Sequence, residues 1–346
     1  MRVEAMIKEA ALYEKLEKDR MVRCHICPRR CYIRDGAKGF CKVRESRGGV
    51  LYALNYGQLT AMSVDPIEKK PLFHFWPGSN AFSIASISCS FTCPWCQNWN
   101  ISQVEVGKVN AEEVSPEKVV SLAKGYGCKT IAYTYNEPII WFEYVLDTAK
   151  LAEKEGILSV LVTNGYATEE TLKELGPHIH AANVDIKAFR PAFYTEYCKA
   201  RLEDVLNAAE LMVKLGWYLE ATYLVIPTLN DDPEEIQRMS RWVRDKLGAD
   251  TPLHLSQFFP MHKMAHLPPT PVSTIVRARE IALGEGLHYV YVGNIPGHDG
   301  ENTYCSKCGE LIIRRRGFDI VEWKVKGDQT CPRCGAQIPI EGEYRL

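Results

Sequence analysis

Three cysteines in one short segment could bind a metal centre. Cys89, Cys93 and Cys96 are separated by three residues and then by two. A structural zinc ion needs four protein ligands, and no fourth Cys or His lies close by in the sequence. A [4Fe–4S] cluster is normally held by four cysteines, so three cysteines would leave one iron open to a substrate or cofactor. The alternatives are cysteines that bind nothing and an incomplete zinc site.

A second group of cysteines precedes this segment. Cys24, Cys27 and Cys31 are followed by Cys41 after a Gly-containing stretch. Zinc and an auxiliary iron–sulfur cluster both fit this set, because both accept four thiolates. His25 can replace one thiolate. The sequence therefore predicts a metal site here and leaves the metal open.

A third group of cysteines lies near the C-terminus. It consists of two Cys-x-x-Cys-Gly motifs, and its members are Cys305, Cys308, Cys331 and Cys334. Two such motifs predict a zinc ribbon, which metal binding can stabilise by on the order of 10 kcal/mol. The run Arg314 to Arg316 lies between them. It is interpreted as a solvated face or a docking surface, with nucleic-acid contact as the alternative.

The segments between the first and last cysteine groups alternate between strand and helix patterns. Short apolar runs rich in Val, Ile and Tyr predict buried strands at 81–87, 129–135, 157–163, 181–186, 218–226, 253–259 and 288–292. Helices are predicted near 116–125, 138–155, 168–175, 201–215, 233–247 and 271–285. This alternation predicts a parallel sheet with right-handed crossovers, either barrel-like or doubly wound.

Local signals predict where some helices begin. Ser115, Asp232 and Thr270 each precede a proline, which is typical of a capped helix start. Glu235 stands three residues after Asp232, as in a capping box. Apolar residues at helical spacing also predict an amphipathic helix over residues 2–19.

Polar residues follow the predicted strands. Ligands of parallel sheets bind at the carboxyl ends of the strands, so these residues are candidates for a binding site. They are Asn136, Glu137, Asn164, Gly165, Asp185, Lys187, Asn230, Gln257 and Asn294. His74, which lies among aromatic residues, is interpreted mainly as a packed residue and is also kept as a substrate-side candidate.

The cysteine triplet, with Trp95 before its last cysteine, resembles the cluster loop of the radical S-adenosylmethionine (SAM) superfamily. The stretch 65–78, followed by Cys-Gln-Asn-Trp, is similar to the radical SAM enzyme of the AmmeMemoRadiSam system, a branch related to pyruvate formate-lyase activating enzymes. Relatives often have Gly and Asn where this chain has Ser88 and Ser90. The resemblance implies an α/β fold, a partial (β/α)6 radical SAM barrel.

The resemblance also implies roles for residues at the strand ends. Asn136 and Glu137 occupy the position of the Gly-Gly-Glu-Pro motif, which meets the amino group of SAM, and Tyr135 and Asn136 replace its two glycines. Lys187 matches a lysine that can pair with the SAM carboxylate. The further SAM-binding residues that it implies are Trp95, Asn164, Asp185 and Gln257.

The domains expected are an N-terminal helix with the four-cysteine segment (1–79), the radical SAM core (80–300) and the zinc ribbon (301–346). The cofactors implied are a [4Fe–4S] cluster, SAM and zinc. The implied activity is reductive cleavage of SAM to a 5′-deoxyadenosyl radical that abstracts hydrogen from an unknown substrate. An electron donor and Memo-type and AMMECR-type proteins are the implied partners. One alternative is an enzyme that activates a glycyl-radical enzyme, and another is a non-catalytic zinc-rich binding protein.

Composition bears on the partners and the cellular compartment of the protein. The 346 residues carry a formal net charge of -1, which gives no support for nucleic acid as a partner. No apolar run approaches the roughly 18 residues that a membrane-spanning helix needs. Most of the 13 cysteines fall in closely spaced groups, which is typical of metal binding in a reducing compartment. A cytoplasmic protein is therefore expected.

Overall fold

The N-terminal segment forms two small antiparallel sheets. The computed structural model describes residues 6–16 and 20–344. Its first strands are β1 (Lys8–Glu9), β2 (Tyr13–Lys15), β3 (Val22–Cys24), β4 (Tyr32–Ile33), β5 (Arg44–Arg47), β6 (Val50–Ala53) and β7 (Gln58–Leu59). One sheet has the order β1-β6-β5 and the other β2-β3-β4.

The helix predicted over residues 2–19 is wrong over residues 6–16, where β1 and β2 lie. Residues 2–5 and 17–19 of that prediction lie outside the described residues. Lys8 pairs with Ala53, and Tyr13 pairs with Cys24. Lys8 and Ala53 are distant in sequence, and β2 pairs with the next strand, so pairing between strands has overridden the local helical spacing.

An eight-stranded sheet forms the core. Its strands are β8 (Ala61–Pro66), β9 (Asn80–Ala85), β11 (Thr130–Tyr133), β12 (Leu158–Thr163), β13 (Ala181–Asp185), β14 (Tyr218–Val225), β15 (Leu253–Gln257) and β16 (Val290–Gly293). Their order is β16-β15-β14-β13-β12-β11-β9-β8, and all run parallel except β8. All seven strands predicted from the sequence are confirmed, with ends shifted by at most two residues. The small strand β10 (Glu112–Glu113) pairs with β7.

Helices connect the parallel strands, as predicted. They are α1 (Trp99–Ser102), α2 (Pro116–Gly125), α3 (Phe142–Lys154), α4 (Glu169–Leu175), α5 (Pro191–Phe193), α6 (Leu202–Lys214), α7 (Pro233–Trp242) and α8 (Val272–Gly284). Tyr194–Cys198 continues α5, and Val243–Leu247 continues α7, as π-helical turns. Across the described ranges, no helix is both long and apolar enough to cross a membrane.

The predicted helix starts are confirmed in part. Ser115 and Asp232 each accept a hydrogen bond from the backbone N–H three residues later, at 3.3 and 2.9 Å. Glu235 forms no capping box, because its buried carboxylate accepts from the backbone N–H of Phe189 (2.6 Å) instead. Thr270 is not a cap either. Its hydroxyl donates to a carbonyl at the end of β14 (2.6 Å), and α8 begins one residue later than predicted.

The C-terminal unit packs beneath the barrel. Its strands β17 (Thr303–Tyr304), β18 (Leu311–Arg316) and β19 (Asp319–Trp323) form an antiparallel sheet. The Trp76 N–H donates to the Glu341 carbonyl (2.7 Å), and the Tyr218 hydroxyl donates to the Pro339 carbonyl (2.5 Å). Because Tyr218 begins β14, this contact lies at the amino-terminal end of the parallel strands. The division into domains stays a prediction, although β8, from the segment before residue 80, belongs to the core sheet.

The arginine run has two exposed members and a buried one. Arg315 is buried and donates to the carbonyl of Phe73 (2.9 Å) and the hydroxyl of Thr303 (2.7 Å). Arg314 is exposed and pairs with Glu322 (3.0 Å). Docking of the C-terminal unit therefore uses the middle arginine.

His74 packs at this same closed end of the barrel. Its side chain is fully buried, and Nδ1 lies 3.0 Å from the Pro339 carbonyl oxygen. Burial lowers the pKa of His74 to about 4, so the imidazole is neutral near pH 7. The substrate-side candidacy of His74 is wrong, because the residue lies at the opposite end of the strands from their carboxyl ends.

Candidate active site

The loop after β9 presents the cysteine triplet at the carboxyl end of the strand. Cys93 is buried, and Cys89 and Cys96 are partly buried. The Cys96 N–H donates to the Cys93 carbonyl (3.2 Å), which also accepts from the Gln103 amide (2.8 Å). The N–H of Ser88 donates to the carbonyl of Ile101 (2.8 Å), which closes the loop. All three thiols are therefore carried by one tight turn.

Two asparagines predicted to lie at the site hold this loop in place. The Asn136 amide donates to the Ser88 carbonyl (2.7 Å). The Asn164 amide donates to the Ser90 hydroxyl (3.1 Å) and lies 3.7 Å from the Cys89 sulfur. The structure thus brings the ends of β11 and β12 to the cysteine loop, as the sequence predicted.

Glu137 is buried below these asparagines and holds the end of β12 in place. Its carboxylate accepts from the Thr163 hydroxyl (2.8 Å), the Asn164 N–H (2.8 Å) and the Ile139 N–H (3.0 Å). Burial raises the pKa of Glu137 to about 7. A direct contact between this carboxylate and the amino group of SAM stays a prediction.

Two residues that replace family glycines have a left-handed backbone. Ser88 has φ 75° and Tyr135 has φ 67°. That region favours glycine, because a Cβ atom crowds the following carbonyl there. The chain therefore keeps the glycine-like bends with larger side chains, and the Tyr135 hydroxyl gains a hydrogen bond to Asp65.

Asp185 and Lys187 place a cation beside the cysteine loop. The Lys187 ammonium lies 2.8 Å from a carboxylate oxygen of Asp185. Burial alone would lower the pKa of Lys187, but the negative charge of Asp185 outweighs burial and raises the pKa above its usual value. Lys187 is therefore positively charged and suited to a carboxylate ligand.

Two further predicted residues are already engaged with protein. The Gln257 amide donates to the Thr270 carbonyl (2.6 Å) at the end of β15. The Trp95 ring is buried and lies 5.2 Å from the Phe193 ring, centroid to centroid. Their contacts with SAM stay predictions.

Cys198 is a neighbour of the site that the sequence did not reveal. Its sulfur lies 3.9 Å from the Cys93 sulfur. It is fully buried at the end of the π-helical turn after α5. About a hundred residues of sequence separate the two cysteines, so no spacing pattern could have linked them.

A charged cluster between β8 and Tyr135 was also missed. Lys70 is buried, and its ammonium lies 2.7 Å from one Asp65 oxygen and 3.4 Å from the Tyr135 hydroxyl. Lys69 lies 2.8 Å from the other Asp65 oxygen. Burial lowers the pKa of Lys70 to about 8. The available signal was a pair of lysines in a stretch otherwise rich in apolar residues.

The C-terminal cysteines come together as one set. Among the described residues, they are the one group of three or more Cys, His, Asp or Glu whose ligand atoms all lie within 4.8 Å of one another. The sulfurs of Cys305 and Cys334 are 3.6 Å apart, and those of Cys308 and Cys331 are 3.7 Å apart. This arrangement can hold a metal ion.

Comparison with known proteins identifies the class. The radical SAM superfamily profile matches residues 84–240, which include the cysteine loop and the ends of β11 to β14. The chain contains a radical SAM domain, and radical SAM proteins are enzymes that generate radicals from SAM. The superfamily prediction is thus confirmed, and it favours an enzyme over the non-catalytic alternative. Assignment to the AmmeMemoRadiSam branch stays a prediction.

The chain is also similar to individual proteins and to solved structures. An uncharacterised protein of Methanocaldococcus jannaschii is 46% identical over 336 residues, which cover 96% of this chain and 99% of that protein. A pyruvate formate-lyase-activating enzyme of Clostridium pasteurianum is 25% identical over 166 residues, covering 45% of this chain and 66% of that enzyme. A radical SAM methyltransferase structure from Sphaerobacter thermophilus has a TM-score of 0.50 and 15% identity, covering 66% of this chain and 71% of that one. The structural likeness concerns the fold alone.

Proposed function

We propose that Cys89, Cys93 and Cys96 hold a [4Fe–4S] cluster whose fourth iron binds SAM. The observation that supports this most is the turn of three thiols at the carboxyl ends of the strands, beside the positively charged Lys187. The donor set fits the group, because thiolates are the usual ligands of such clusters. When bound, the reduced cluster supplies the electron that cleaves SAM to methionine and a 5′-deoxyadenosyl radical, which takes hydrogen from the substrate.

The protein side chains bind and orient the reactants. Lys187 pairs with the SAM carboxylate as a charge-assisted hydrogen-bond donor. Asn136 and Asn164 fix the cysteine loop. Glu137 acts as a positioning residue, because its carboxylate holds Asn164 and the end of β12.

We propose that Tyr135 borders the substrate space at the carboxyl end of β11 and that Asp65 and Lys70 hold its side chain from below. Asp65 pairs directly with Ala81 across β8 and β9, and directly opposite residues lie on the same face of a sheet. Ala81 packs in the inner layer with Ala132 and Val160. Asp65 and Lys70 therefore lie inside the barrel, toward the amino-terminal ends of its strands, and they hold the hydroxyl of Tyr135, whose backbone lies at the carboxyl end of β11.

The test is formation of 5′-deoxyadenosine. The anaerobically reconstituted protein is given SAM and a strong reductant, and nucleoside is measured for wild type, Cys93→Ala and Cys128→Ala. Cys128 is a buried cysteine outside the cysteine loop, so its variant controls for loss of a core thiol. We expect nucleoside from wild type and Cys128→Ala and none from Cys93→Ala. Equal formation by all three would reject the proposed cluster site.

A second candidate is activation of a glycyl-radical enzyme. It is favoured by the similarity to the pyruvate formate-lyase-activating enzyme of Clostridium pasteurianum. It requires a partner protein with an accessible glycine loop, whereas membership in the AmmeMemoRadiSam branch would pair the chain with Memo-type and AMMECR-type proteins. A stable protein radical seen by EPR on a candidate partner would support activation, and deuterium transfer from a small molecule would oppose it.

The C-terminal cysteines are proposed to bind zinc. In a tetrahedral site with Zn–S bonds of about 2.3 Å, sulfurs stand about 3.8 Å apart, close to the 3.6 and 3.7 Å separations in this chain. Zinc here is structural, because four thiolates leave no open position. Thiolate sites of this kind persist in a reducing compartment, so we place the enzyme in the cytoplasm.

A further inference from the structure

The four N-terminal cysteines line one apolar cavity. The cavity is small and partly open to solvent. Besides Cys24, Cys27, Cys31 and Cys41, its lining includes Ile26, Ile33 and Ile140. Gly39 also lines it, and a Cβ atom there would stand 3.7 Å from the Cys31 sulfur. The four thiols thus surround a shared space inside the protein.

The distances between sulfurs differ between this site and the C-terminal site. A single zinc ion draws four sulfurs to about 3.8 Å from one another. Among the residues that the structure describes, the C-terminal cysteines meet that requirement and those around the N-terminal cavity form no group within 4.8 Å. A [4Fe–4S] cluster holds sulfurs farther apart, because each thiolate binds a different iron. Among the described residues, the cysteines of the loop after β9 likewise form no group within 4.8 Å.

The cavity lies directly against the cysteine loop of the active site. The Ser88 hydroxyl donates to the Cys41 carbonyl (2.6 Å). The Arg29 guanidinium donates to the Ser90 carbonyl (3.1 Å), and Ser90 itself lines the cavity. Ser88 and Ser90 flank Cys89 in sequence. One hydrogen bond and a single peptide link therefore separate a ligand of one site from a ligand of the other.

We propose that Cys24, Cys27, Cys31 and Cys41 bind a second [4Fe–4S] cluster, which relays electrons to the three-cysteine site. Cys31 is partly exposed, and the Cys41 carbonyl accepts from Ser88 of the active-site loop, so the site reaches from the surface to that loop. A low-potential one-electron donor gives up one electron at the exposed side, and the three-cysteine site receives it. No bond forms or breaks in this transfer. The relay, though not the metal assignment, rests on the proposed function.

The test is metal content and EPR of anaerobically reconstituted protein. We expect about eight irons and one zinc per wild-type chain, since each [4Fe–4S] cluster contributes four irons. The variant Cys93→Ala/Cys96→Ala keeps the N-terminal cysteines and should retain about four irons. The variant Cys27→Ser/Cys41→Ser should also fall to about four, and EPR of the reduced protein should lose the signal that SAM does not alter.

The outcomes separate the two proposals. About four irons and two zincs in wild type would overturn the second cluster and leave the proposed function intact. Eight irons with no spectral response to SAM would instead reject the proposed function. If Cys27→Ser/Cys41→Ser fails to fold, the wild-type ratio of iron to zinc and the iron retained by Cys93→Ala/Cys96→Ala still decide the metal.

To test the relay, the rate of SAM cleavage is measured for wild type and for Cys27→Ser/Cys41→Ser. Each protein is reduced either with dithionite or with a reduced ferredoxin. We expect the variant to cleave SAM with dithionite, and we expect its rate with ferredoxin to be at least tenfold below the wild-type rate. A variant that matches wild type with ferredoxin would overturn the relay.

Discussion

The left-handed backbone at Ser88 ties the two cysteine-rich segments together. Its hydroxyl donates to Cys41, while its N–H donates to Ile101. Left-handed backbone costs a non-glycine residue roughly 1–2 kcal/mol. A hydrogen bond stabilises the folded state by about 1 kcal/mol. The strain at this position is thus partly offset by the contact that it makes possible.

Substitution of Ser88 should reflect this balance. Ser88→Gly removes the strain and the hydrogen bond together, so the thermal midpoint should change little. Ser88→Val puts a β-branched side chain at φ 75° and also loses the hydrogen bond, so the midpoint and the iron content should both fall. Similar losses in the two variants would contradict this account of the turn.

Glu68 should make stability depend on pH. Burial raises the pKa of Glu68 to about 7, against the opposing effects of Arg315 and the Gly78 N–H. Below the unfolded-state pKa of about 4.5 both states hold the proton; as pH rises from there to 7, the folded state keeps a proton that the unfolded state releases. Stability from this group is therefore lost over that window, by on the order of 3 kcal/mol.

The measurement is the free energy of unfolding of wild type and Glu68→Gln at several pH values. Glutamine cannot ionise, so the variant should match wild type near pH 4.5 and become the more stable protein above pH 7. Curves that stay parallel across the window would show that Glu68 is not the group responsible.

At the scale of elements, the barrel strands were predictable and the N-terminal sheets were not. Strands such as β11 and β14 are buried on both faces, so their apolar composition alone marks them. The strands β1 and β2 depend on partners that a local pattern cannot show. The rim residues were predictable because parallel strands end at one edge, whereas Cys198 reaches Cys93 through tertiary packing alone.

Two helix starts that look alike in sequence should differ in what they contribute. Asp232→Ala removes an exposed cap and should cost about 1 kcal/mol of stability. Thr270→Ala leaves a buried carbonyl of Val225 and the Phe258 N–H without a partner, which costs about 1–3 kcal/mol for each unpaired group. Urea unfolding of both variants tests this order, and a larger loss for Asp232→Ala would contradict it.

At the scale of the whole molecule, the C-terminal unit closes the barrel at the end opposite the active site. Arg315 is buried in this contact. The sequence alone does not show which of the three adjacent arginines is buried, because they look equivalent. The structure distinguishes them, since alternation along β18 turns the middle one inward. The C-terminal unit therefore packs at the end of the barrel that lies away from the cysteine loop.

Removal of the buried arginine should therefore weaken docking. Arg315→Met leaves the Phe73 carbonyl and the Thr303 hydroxyl without their donor and should lower stability by about 2–3 kcal/mol. Arg314→Met is the matched control, because an exposed ion pair contributes about 0–1 kcal/mol. Thermal unfolding compares them, and equal midpoints would argue against docking through Arg315.

In the proposed function, SAM binds to an open iron held by Cys89, Cys93 and Cys96. The most direct measurement is the EPR spectrum of the reduced protein before and after SAM is added. We predict that SAM shifts one cluster signal in wild type and that this signal is absent from Cys93→Ala. A wild-type protein that contains iron and whose spectrum does not respond to SAM would contradict the claim.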